Sequence, residues 1–596
     1  MDSLRTGPRV RAPELIDGRW FNTAAPITLA GLRGRFVLLD FWTFCCGNCL
    51  HVVDELRPFE IAHADVLTVI GVHSPKFPHE ADPVALGAAV ERYEVHHPVL
   101  NDPGLELWGQ YAVRAWPTLV LIDPEGYVVA HAAGEGQVGA LDALLSTLLA
   151  EHDERGTLHR GDGPYLAPAP RAGDLRFPAG AILLPAERNG RPCESLLVAD
   201  AGHHQVVEID ASDGSVLARY GSGERGAPFA EPNGLTLLPV GVAPYDVLVA
   251  DTANHVLRGI RLADRAIIAT IDLSAAVADA RTVTGAIPSV LSPWDVAWWP
   301  AAGRVVVAAA GVHLLLSLDP TNEAIEVLAG TTVEGLRDGP GVDAWLAQPS
   351  GLAVDGEHVW FVDAESSALR RIGLDATVST VVGEGLFDFG HVDGPAATAR
   401  LQHPLGVIVL ADHSVAVLDT YNGAVRRYDP ATDEVSTLAH GLAEPSGAVL
   451  VAGELIVVES AAHRLVQPVP AAELVRGAAL RSERAPTTLR AGDVELSIAF
   501  TPPPGRALDD RFGPAVHVTV SASPPELLVS GGGESSELSR RIRLADGSGV
   551  LQVTARAATC DGAGEHPACH LARQDWGVPV RIAGAGDASL ELVLLG

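Results

Sequence analysis

The stretch VLLDFWTFCCGNC, residues 37–49, decides how the first part of the chain folds. Its apolar first half predicts a buried strand, and the pair Cys46 and Cys49 that follows stands where a helix is predicted to begin. Unpaired backbone N–H groups and the helix dipole stabilise a thiolate at such a position. A spacing of three residues places both sulfurs on one helix face. The pattern therefore predicts Cys46 as a nucleophile and Cys49 as the thiol that resolves a mixed disulfide.

Asp40 lies among apolar residues of the predicted strand. A buried carboxyl group is reluctant to ionise, which suits a proton acceptor for Cys49. The alternative is a structural acid that is hydrogen-bonded to the backbone. Cys45 is interpreted either as an alternative partner for one of the two thiols or as a small residue that fills space.

Zinc is the other chemistry that clustered cysteines favour. A structural zinc site normally needs four ligands, and the sequence has no second Cys-x-x-Cys pair. His51 is near in sequence but is expected on a helix surface. We therefore predict no metal, and no cofactor other than the redox-active dithiol itself.

Around this stretch, short apolar runs alternate with helical patterns. Strands are predicted at residues 36–41, 66–72 and 118–122, with helices at 47–63, 82–92 and 139–149. This alternation predicts an α/β domain with parallel strand pairs over residues 1–150. Residues 151–173, which carry Pro164, Pro168 and Pro170, are predicted to be a linker.

A repeat begins at Phe177. Each copy has a proline, then a β-rich run that ends near an acidic residue, and the prolines are Pro178, Pro232, Pro293, Pro349, Pro404 and Pro445. Their spacings of 54, 61, 56, 55 and 41 residues suit one four-stranded blade per repeat. Asp-Gly-Pro units at 338–340 and 393–395 mark a duplicated unit. Residues 174–470 are predicted to form a six-bladed propeller, in which recurring Asp and His positions serve structure and non-recurring residues serve function.

After a second predicted linker at 471–487, period-two alternation predicts a small antiparallel β-sandwich at residues 488–596. Cys560 and Cys569 flank a loop between two of its strands. They are a candidate second dithiol that exchanges with Cys46. A resting pair of reduced cysteines is the alternative.

Asp-Phe-Trp ahead of Cys-x-x-Cys, together with RAWPT at residues 114–118, closely resembles the thioredoxin family in its TlpA-like branch. The resemblance implies that Pro117 is cis and lies against the dithiol, and that the residue before it contacts substrate. The expected substrate groove consists of Trp42, Cys45, Trp116 and Pro117. Two positions depart from the family pattern, because Cys45 replaces a usual tryptophan and Asn48 a common proline.

The double cysteine followed by x-Asn-Cys, the motif VADTANH at residues 249–255 and the Asp-Gly-Pro units resemble the NHL-repeat-containing protein 2 family along nearly the whole chain. The resemblance implies a multidomain α/β plus all-β protein. It would have a thioredoxin-like domain packed on a six-bladed NHL propeller, followed by the small sandwich.

Composition limits the partners. With 42 basic and 74 acidic residues the net charge is −32, which repels nucleic-acid backbones and anionic membrane surfaces. No basic start followed by an apolar stretch opens the sequence, so no signal peptide and a cytoplasmic location are expected. The expected function is a thiol–disulfide oxidoreductase that uses a protein thiol or disulfide substrate and an external reductant, with the propeller binding a protein. The alternative is a protein-interaction scaffold without turnover.

Overall fold

The computed structural model describes residues 5–168, 173–191, 193–274, 290–468, 487–502, 506–508, 514–561, 569–584 and 586–594. The amino-terminal domain has one sheet and four α-helices. Its strands are β1 (Arg5–Arg11), β2 (Trp20–Phe21), β3 (Phe36–Trp42), β4 (Leu67–His73), β5 (Val99–Asn101), β6 (Thr118–Ile122) and β7 (Tyr127–Ala133). Its helices are α1 (Gly47–Ala62), α2 (Pro83–Arg92), α3 (Glu106–Gln110) and α4 (Val138–Arg155).

The apolar run of β3 places this strand at the centre of the sheet, where every one of its residues is buried. The strand order is β1-β7-β6-β3-β4-β5-β2. Strand β3 runs parallel to β4 but antiparallel to β6, so the sheet is mixed. In the parallel β3–β4 pair, Asp40 lies beside Gly71. Strand β3 ends at Trp42, and helix α1 begins five residues later, at Gly47.

The segment predicted as the first linker is partly ordered against the domain. Helix α4 continues to Arg155, five residues past the expected boundary at 150. Beyond it, the N–H of His159 donates to the carbonyl of Gly34, and the N–H of Leu166 donates to Asn22. The chain therefore follows the surface of the first domain before it enters the propeller.

Six sheets follow in the described residues. The innermost strand of each sheet begins at the repeat proline in five blades and two residues after it, at Gly406, in the fifth. Blade 1 consists of β8 (Pro178–Leu184), β9 (Ser195–Asp200), β10 (Gln205–Asp210) and β11 (Val216–Tyr220), with helix α5 (Ala186–Asn189) after β8. Blade 2 consists of β12 (Pro232–Leu237), β13 (Val247–Asp251), β14 (Val256–Arg261) and β15 (Ala266–Asp272). Blade 3 consists of β16 (Pro293–Trp299), β17 (Arg304–Ala309), β18 (Leu314–Asp319) and β19 (Ala324–Ala329).

Blade 4 consists of β20 (Gly339–Pro340), β21 (Pro349–Asp355), β22 (His358–Asp363), β23 (Ala368–Gly373) and β24 (Thr377–Val382). Blade 5 consists of β25 (Gly394–Pro395), β26 (Gly406–Val409), β27 (Val415–Asp419), β28 (Ala424–Asp429) and β29 (Glu434–His440). Blade 6 consists of β30 (Pro445–Val451), β31 (Glu454–Glu459) and β32 (Arg464–Val466). The innermost strands neighbour one another in sequence order, and β30 returns to β8. The ring is therefore closed, and the predicted six-bladed propeller is confirmed.

The recurring residues hold the blades together. The recurrent acid at the end of the second strand accepts the N–H of the residue two positions before the blade proline, as Asp251 does from Ala230 at 2.7 Å. The recurrent histidines have positive φ and accept a backbone N–H of the next blade through Nδ1, as His255 does from Ser292 at 3.2 Å. The second oxygen of the acid accepts a hydrogen bond from the turn that follows, as Asp251 does from Asn254 at 2.8 Å. These contacts give the recurring residues a structural role.

The carboxy-terminal domain is a sandwich of two sheets around a single apolar core. Its strands are β33 (Thr487–Leu489), β34 (Gly492–Phe500), β35 (Arg506–Leu508), β36 (Val516–Ser523), β37 (Leu528–Ser530), β38 (Gly533–Ser535), β39 (Ser539–Leu544), β40 (Ser548–Asp561), β41 (Cys569–Ile582) and β42 (Ser589–Leu594). Two of its strand pairs, β33–β41 and β34–β42, are parallel, so the expectation of a purely antiparallel sandwich was wrong. Most of the second predicted linker, 471–487, lies outside the described residues.

Candidate active site at a domain interface

The dithiol lies at the start of α1. Cys46 is the N-cap residue, and its half-buried sulfur accepts the backbone N–H of Cys49 at 3.3 Å. Cys49 is fully buried beneath it. Burial and the contact with Cys46 raise the pKa of the Cys49 thiol well above its ordinary value. One sulfur is therefore accessible, whereas the other needs a base to lose its proton.

Asp40 occupies the core below the dithiol. Its side chain is 0% exposed, and neither carboxylate oxygen has a hydrogen-bond partner among the described residues. Burial raises the pKa of Asp40 to about 7, with His97 acting in the opposite direction. A structural acid bonded to the backbone was the alternative at this position, and no such bond is present in the described part of the chain.

The residues expected to form the substrate groove divide into two groups. Trp116 is half-buried beside the dithiol cluster and precedes a cis peptide bond to Pro117. Its ring packs at a tilt on that of Trp108, with the centroids 4.5 Å apart. Trp42 and Cys45 have side chains that are 0% and 4% exposed. Neither of these two presents surface to a substrate, because Trp42 packs in the core and Cys45 faces the second domain.

Cys45 is held at the interface by carboxylates. Its N–H donates to Glu80 at 2.8 Å. Burial, followed by the charges of Glu365 and Glu80, raises the pKa of the Cys45 thiol well above its ordinary value. Lys76, the only lysine of the sequence, forms an ion pair with Glu365 of the propeller within the same interface.

The residue that precedes each blade proline has a positive φ, which is uncommon for residues other than glycine. We call this set the pre-proline ring: Phe177, Glu231, Ser292, Gln348, His403 and Glu444. Its members differ chemically from blade to blade, although the turn that carries them recurs. The ring surrounds one mouth of the propeller and faces the amino-terminal domain.

Two ring members contact helix α1. Gln348 accepts the N–H of Gly47 at 3.3 Å, directly beside Cys46. Ser292 bonds to Nε2 of His51 at 2.8 Å, and the other ring nitrogen of His51 lies 2.9 Å from Glu135. His51 is only 7% exposed, so the expectation that it lies on a helix surface was wrong.

Other ring members contact α2 and the turn before it. Glu444 forms an ion pair with Arg92 and lies 3.0 Å from His79. Although burial alone would raise the pKa of Glu444, Arg92 and His79 lower it to about 2. His403 packs on Phe77 with ring centroids 5.3 Å apart. The interface is thus charged, hydrogen-bonded and aromatic at once.

The amino-terminal domain closes one end of the propeller channel. A cavity of about 430 Å³ runs between the innermost strands, and Arg92 and Tyr93 from the end of α2 line it together with Glu231 and Glu444. The rest of its wall is mostly small and aliphatic, with Trp294 and Trp298. The dithiol itself is not part of this cavity.

The second candidate cysteine pair lies at the end of the β40–β41 hairpin. Cys560 and Cys569 are directly opposite each other in the strand register, and the loop between them lies outside the described residues. Strand β41 also passes within 8 Å, between Cα atoms, of helix α3. Helix α3 carries Trp108, on which Trp116 packs.

Among the described residues, one cluster of side chains has the chemistry of metal ligands. Oxygens of Asp123 and Glu125 and a nitrogen of His152 lie within 4.8 Å of one another. Asp123 already accepts the N–H groups of Glu125 and Tyr127, and Nδ1 of His152 contacts Thr157 at 2.7 Å. These hydrogen bonds explain why the three side chains lie together: Asp123 and Glu125 belong to a turn that packs against α4.

Sequence reasoning missed Lys76, His97 and the pre-proline ring, and it placed His51 on a helix surface. A signal for the ring was available, because the residue before each blade proline varies where its neighbours recur. His97 and Lys76 carry no local pattern. Their positions depend on strand neighbours and on a domain contact that spacing does not encode.

Comparison with known proteins agrees with this architecture. Residues 34–128 match a family model described as Thioredoxin-like. The thiol–disulfide oxidoreductase ResA of Bacillus cereus is 30% identical over 125 residues, which cover 20% of this chain and 68% of ResA. The amino-terminal domain therefore belongs to the thioredoxin-like family.

Two longer relatives match most of the chain. NHL repeat-containing protein 2 of Homo sapiens is 33% identical over 470 residues, which are 72% of this chain and 63% of that protein. Protein SUPPRESSOR OF QUENCHING 1, chloroplastic, of Arabidopsis thaliana is 32% identical over 469 residues, or 74% and 43%. The chain is a homologue of NHL repeat-containing protein 2, and it spans less than two thirds of either relative.

Within the described ranges, no helix combines the length and apolar character needed to cross a bilayer.

Proposed function

We propose that the chain is a thiol–disulfide oxidoreductase. The observation that carries the proposal is the placement of one half-buried sulfur, Cys46, at the N-terminus of α1, with Cys49 buried below it and Asp40 in the core beneath. An accessible N-terminal thiol, a shielded second thiol and a buried acid are the parts that disulfide exchange needs.

The reaction begins when the Cys46 thiolate attacks one sulfur of a substrate disulfide. A mixed disulfide forms, and the other substrate sulfur leaves as a thiolate. Cys49 then gives its proton to Asp40, and its thiolate attacks the Cys46 sulfur. A Cys46–Cys49 disulfide forms and the second substrate sulfur leaves, so the substrate gains two electrons and the dithiol loses two. An external dithiol reductant restores the pair, and no further cofactor is needed.

The groove that receives the substrate is proposed to be formed by Trp116 and Pro117 on one side and by the propeller on the other. Gln348 lies next to the dithiol, and Phe387, which is 74% exposed, lies over Lys76. The substrate is proposed to be a protein, because the groove is formed by both domains. The net charge of −32 on the whole chain disfavours nucleic acids and membranes as partners.

Cys560 and Cys569 are proposed as a second dithiol that exchanges with Cys46. Their opposite positions in the hairpin and the passage of β41 close to α3 support the proposal. A cytoplasmic location stays a prediction. The Arabidopsis relative is named as chloroplastic, so fractionation of the host cell has to distinguish the two compartments.

The test traps the mixed disulfide. Cys49→Ser is incubated with host lysate under mild oxidation, and complexes that dithiothreitol releases are counted. We expect covalent complexes that disappear when Cys46→Ser is added to Cys49→Ser and persist when Cys45→Ser, the matched buried neighbour, is added instead. An absence of complexes from Cys49→Ser contradicts the proposal.

A non-catalytic scaffold is the second candidate. It is favoured because propeller residues already pack against the surface that carries the dithiol. Gln348 contacts Gly47, and the rings of Tyr421 and Phe44 have centroids 5.7 Å apart. In that case the dithiol stays inert toward thioredoxin reductase and glutathione, while the full chain still binds a partner. Measuring the reduction potential of Cys46 and Cys49 against glutathione separates the two candidates.

A further inference from the structure

Four buried polar atoms without a hydrogen-bond partner lie in one region below the dithiol. They are both carboxylate oxygens of Asp40, Nε1 of Trp42 and Nε2 of His97, and none of the four has a hydrogen-bond partner among the described residues. The three side chains are 0%, 0% and 2% exposed. Buried polar atoms normally have a partner, so a group of them is a feature that needs a physical reason.

Gly71 provides the space between them. It is the register partner of Asp40 in the β3–β4 pair. A Cβ atom placed on Gly71 would lie 2.9 Å from Nε1 of Trp42 and 3.1 Å from Nε2 of His97. Both nitrogens therefore approach the point where any other residue would have its side chain. Glycine inside a strand often marks such a close approach.

His97 connects this region to the surface. Its Nδ1 lies 2.8 Å from Oε1 of Glu60, near the end of α1. The Glu60 side chain is 17% exposed. It lines a surface groove of about 490 Å³ together with His97, Arg57, His96 and Tyr165. Polar atoms therefore lead from His97 in the core through Glu60 to solvent.

We propose that His97 is a proton-relay residue that connects Asp40 to Glu60 and solvent through a water molecule held above Gly71. Such a water would accept from Nε1 of Trp42 and donate to Asp40 and to Nε2 of His97, which gives it the two to four partners that buried waters have. The inference rests on the proposed function, because it concerns the proton that Cys49 releases.

The proton balance closes over a redox cycle. When Cys49 resolves a mixed disulfide, its proton passes to Asp40 and then, through the water, to Nε2 of His97. His97 releases its Nδ1 proton to Glu60 and is left as the other neutral tautomer. During re-reduction a proton enters from Glu60 at Nδ1, and the Nε2 proton returns to Asp40 and Cys49. Each half-reaction moves one proton, and the histidine regains its first tautomer.

The charges around the path favour this role. Asp40 faces Cys49 on α1, and His97 and Glu60 act on it from the other side. Around His97 stand Glu60, His96 and Arg57. With burial raising the pKa of Asp40 to about 7, the proton is exchangeable near neutral pH.

The test separates nucleophilic attack from resolution. Full-length protein carrying Cys193→Ser, Cys560→Ser and Cys569→Ser is mixed with less than one equivalent of 5,5′-dithiobis(2-nitrobenzoate). The first thionitrobenzoate released reports the attack by Cys46, and the second reports resolution by Cys49. We expect His97→Ala to slow the second phase by about tenfold or more at pH 7 and to leave the first within about twofold.

Free imidazole is the decisive readout, because it replaces a proton carrier but does not repair packing. We expect it to restore the second phase of His97→Ala in proportion to its concentration. Gly71→Ala, which fills the space, should slow the same phase, and imidazole should not rescue it. Glu60→Gln should slow it less. His152→Gln, which changes another buried histidine of the domain (1% exposed), is the control and should leave both phases unchanged.

A second phase in His97→Ala that equals the parent, or one that imidazole does not accelerate, overturns the relay. If His97→Ala does not fold, Gly71→Ala decides, and an unchanged second phase there overturns it. A first phase in the parent protein that is no faster than that of free cysteine is a different failure. It would contradict the proposed oxidoreductase function and not the proton relay through His97.

Discussion

Two buried carboxylates in this molecule behave in opposite ways. Glu444, in the interface, is 4% exposed but has Arg92 and His79 as partners, and its pKa is lowered to about 2. Asp40, below the dithiol, is 0% exposed and without a described partner, and burial raises its pKa to about 7. Acids that hold the domains together are paired, whereas the acid proposed to exchange a proton is left unpaired.

The largest effect is expected at the paired acid. Glu444→Ala leaves the buried guanidinium of Arg92 without its carboxylate partner. This loss should lower the free energy of unfolding by about 3–5 kcal/mol. Native-state hydrogen exchange of α2 in the full chain would measure it as faster opening of that helix. Asp264→Ala breaks an exposed ion pair with Arg261 and is the control, expected to leave exchange unchanged. Equal exchange in both variants would show that the pair does not hold the interface.

The unpaired acid should affect rate more than packing. Asp40→Asn keeps the shape but removes the proton acceptor, so the resolution phase should slow by about 100-fold while the attack phase changes little. Stopped-flow release of thionitrobenzoate measures both phases. Glu80→Gln is the matched control, since Glu80 is buried and accepts four hydrogen bonds in the same domain. A normal second phase in Asp40→Asn would remove Asp40 from the mechanism.

The same variant tests the sign of the pKa shift. Because the folded state holds the Asp40 proton up to about pH 7, the wild-type protein loses stability as pH rises above the unfolded pKa. The loss ends once pH exceeds the folded pKa. Asn does not ionise, so Asp40→Asn should gain stability relative to wild type between pH 5 and pH 8 by about 2–3 kcal/mol.

Thermal unfolding of both proteins at the two pH values measures this difference through the transition of the amino-terminal domain. A gap that stays constant from pH 5 to pH 8 would mean that Asp40 is already ionised in the folded protein at pH 5. That result would reverse the contrast with Glu444.

A neutral interface contact should have the smallest effect. Gln348→Ala removes a hydrogen bond to Gly47, worth about 1 kcal/mol, and should change the alkylation rate of Cys46 by less than about threefold. Ser292→Ala, which removes a hydrogen bond from the propeller to His51 farther along the same helix, is the comparison. A tenfold or larger change confined to Gln348→Ala would mean that the propeller controls the nucleophile directly.

Part of this picture could be predicted from local pattern. The apolar run before Cys46 requires a buried strand, and the recurring prolines require repeated sheets, because hydrophobic periodicity and turn chemistry are local properties. The same locality explains the errors. His51 has the spacing of a surface residue on α1, and only the propeller behind it makes it buried. Likewise, nothing in the run VLTVIGV indicates that Gly71 leaves space for an imidazole from the next strand.

The sequence by itself determined the three domains, the six blades and the position of Cys46 at a helix N-terminus, because each follows from residues a few positions apart. Only the tertiary structure decided that Asp40 lacks a partner, that His97 meets Glu60, and that Gln348 lies 3.3 Å from a helix 301 positions earlier. Such contacts arise from how strands and domains pack. The free energy of burial that selects them belongs to the whole fold and not to any local segment.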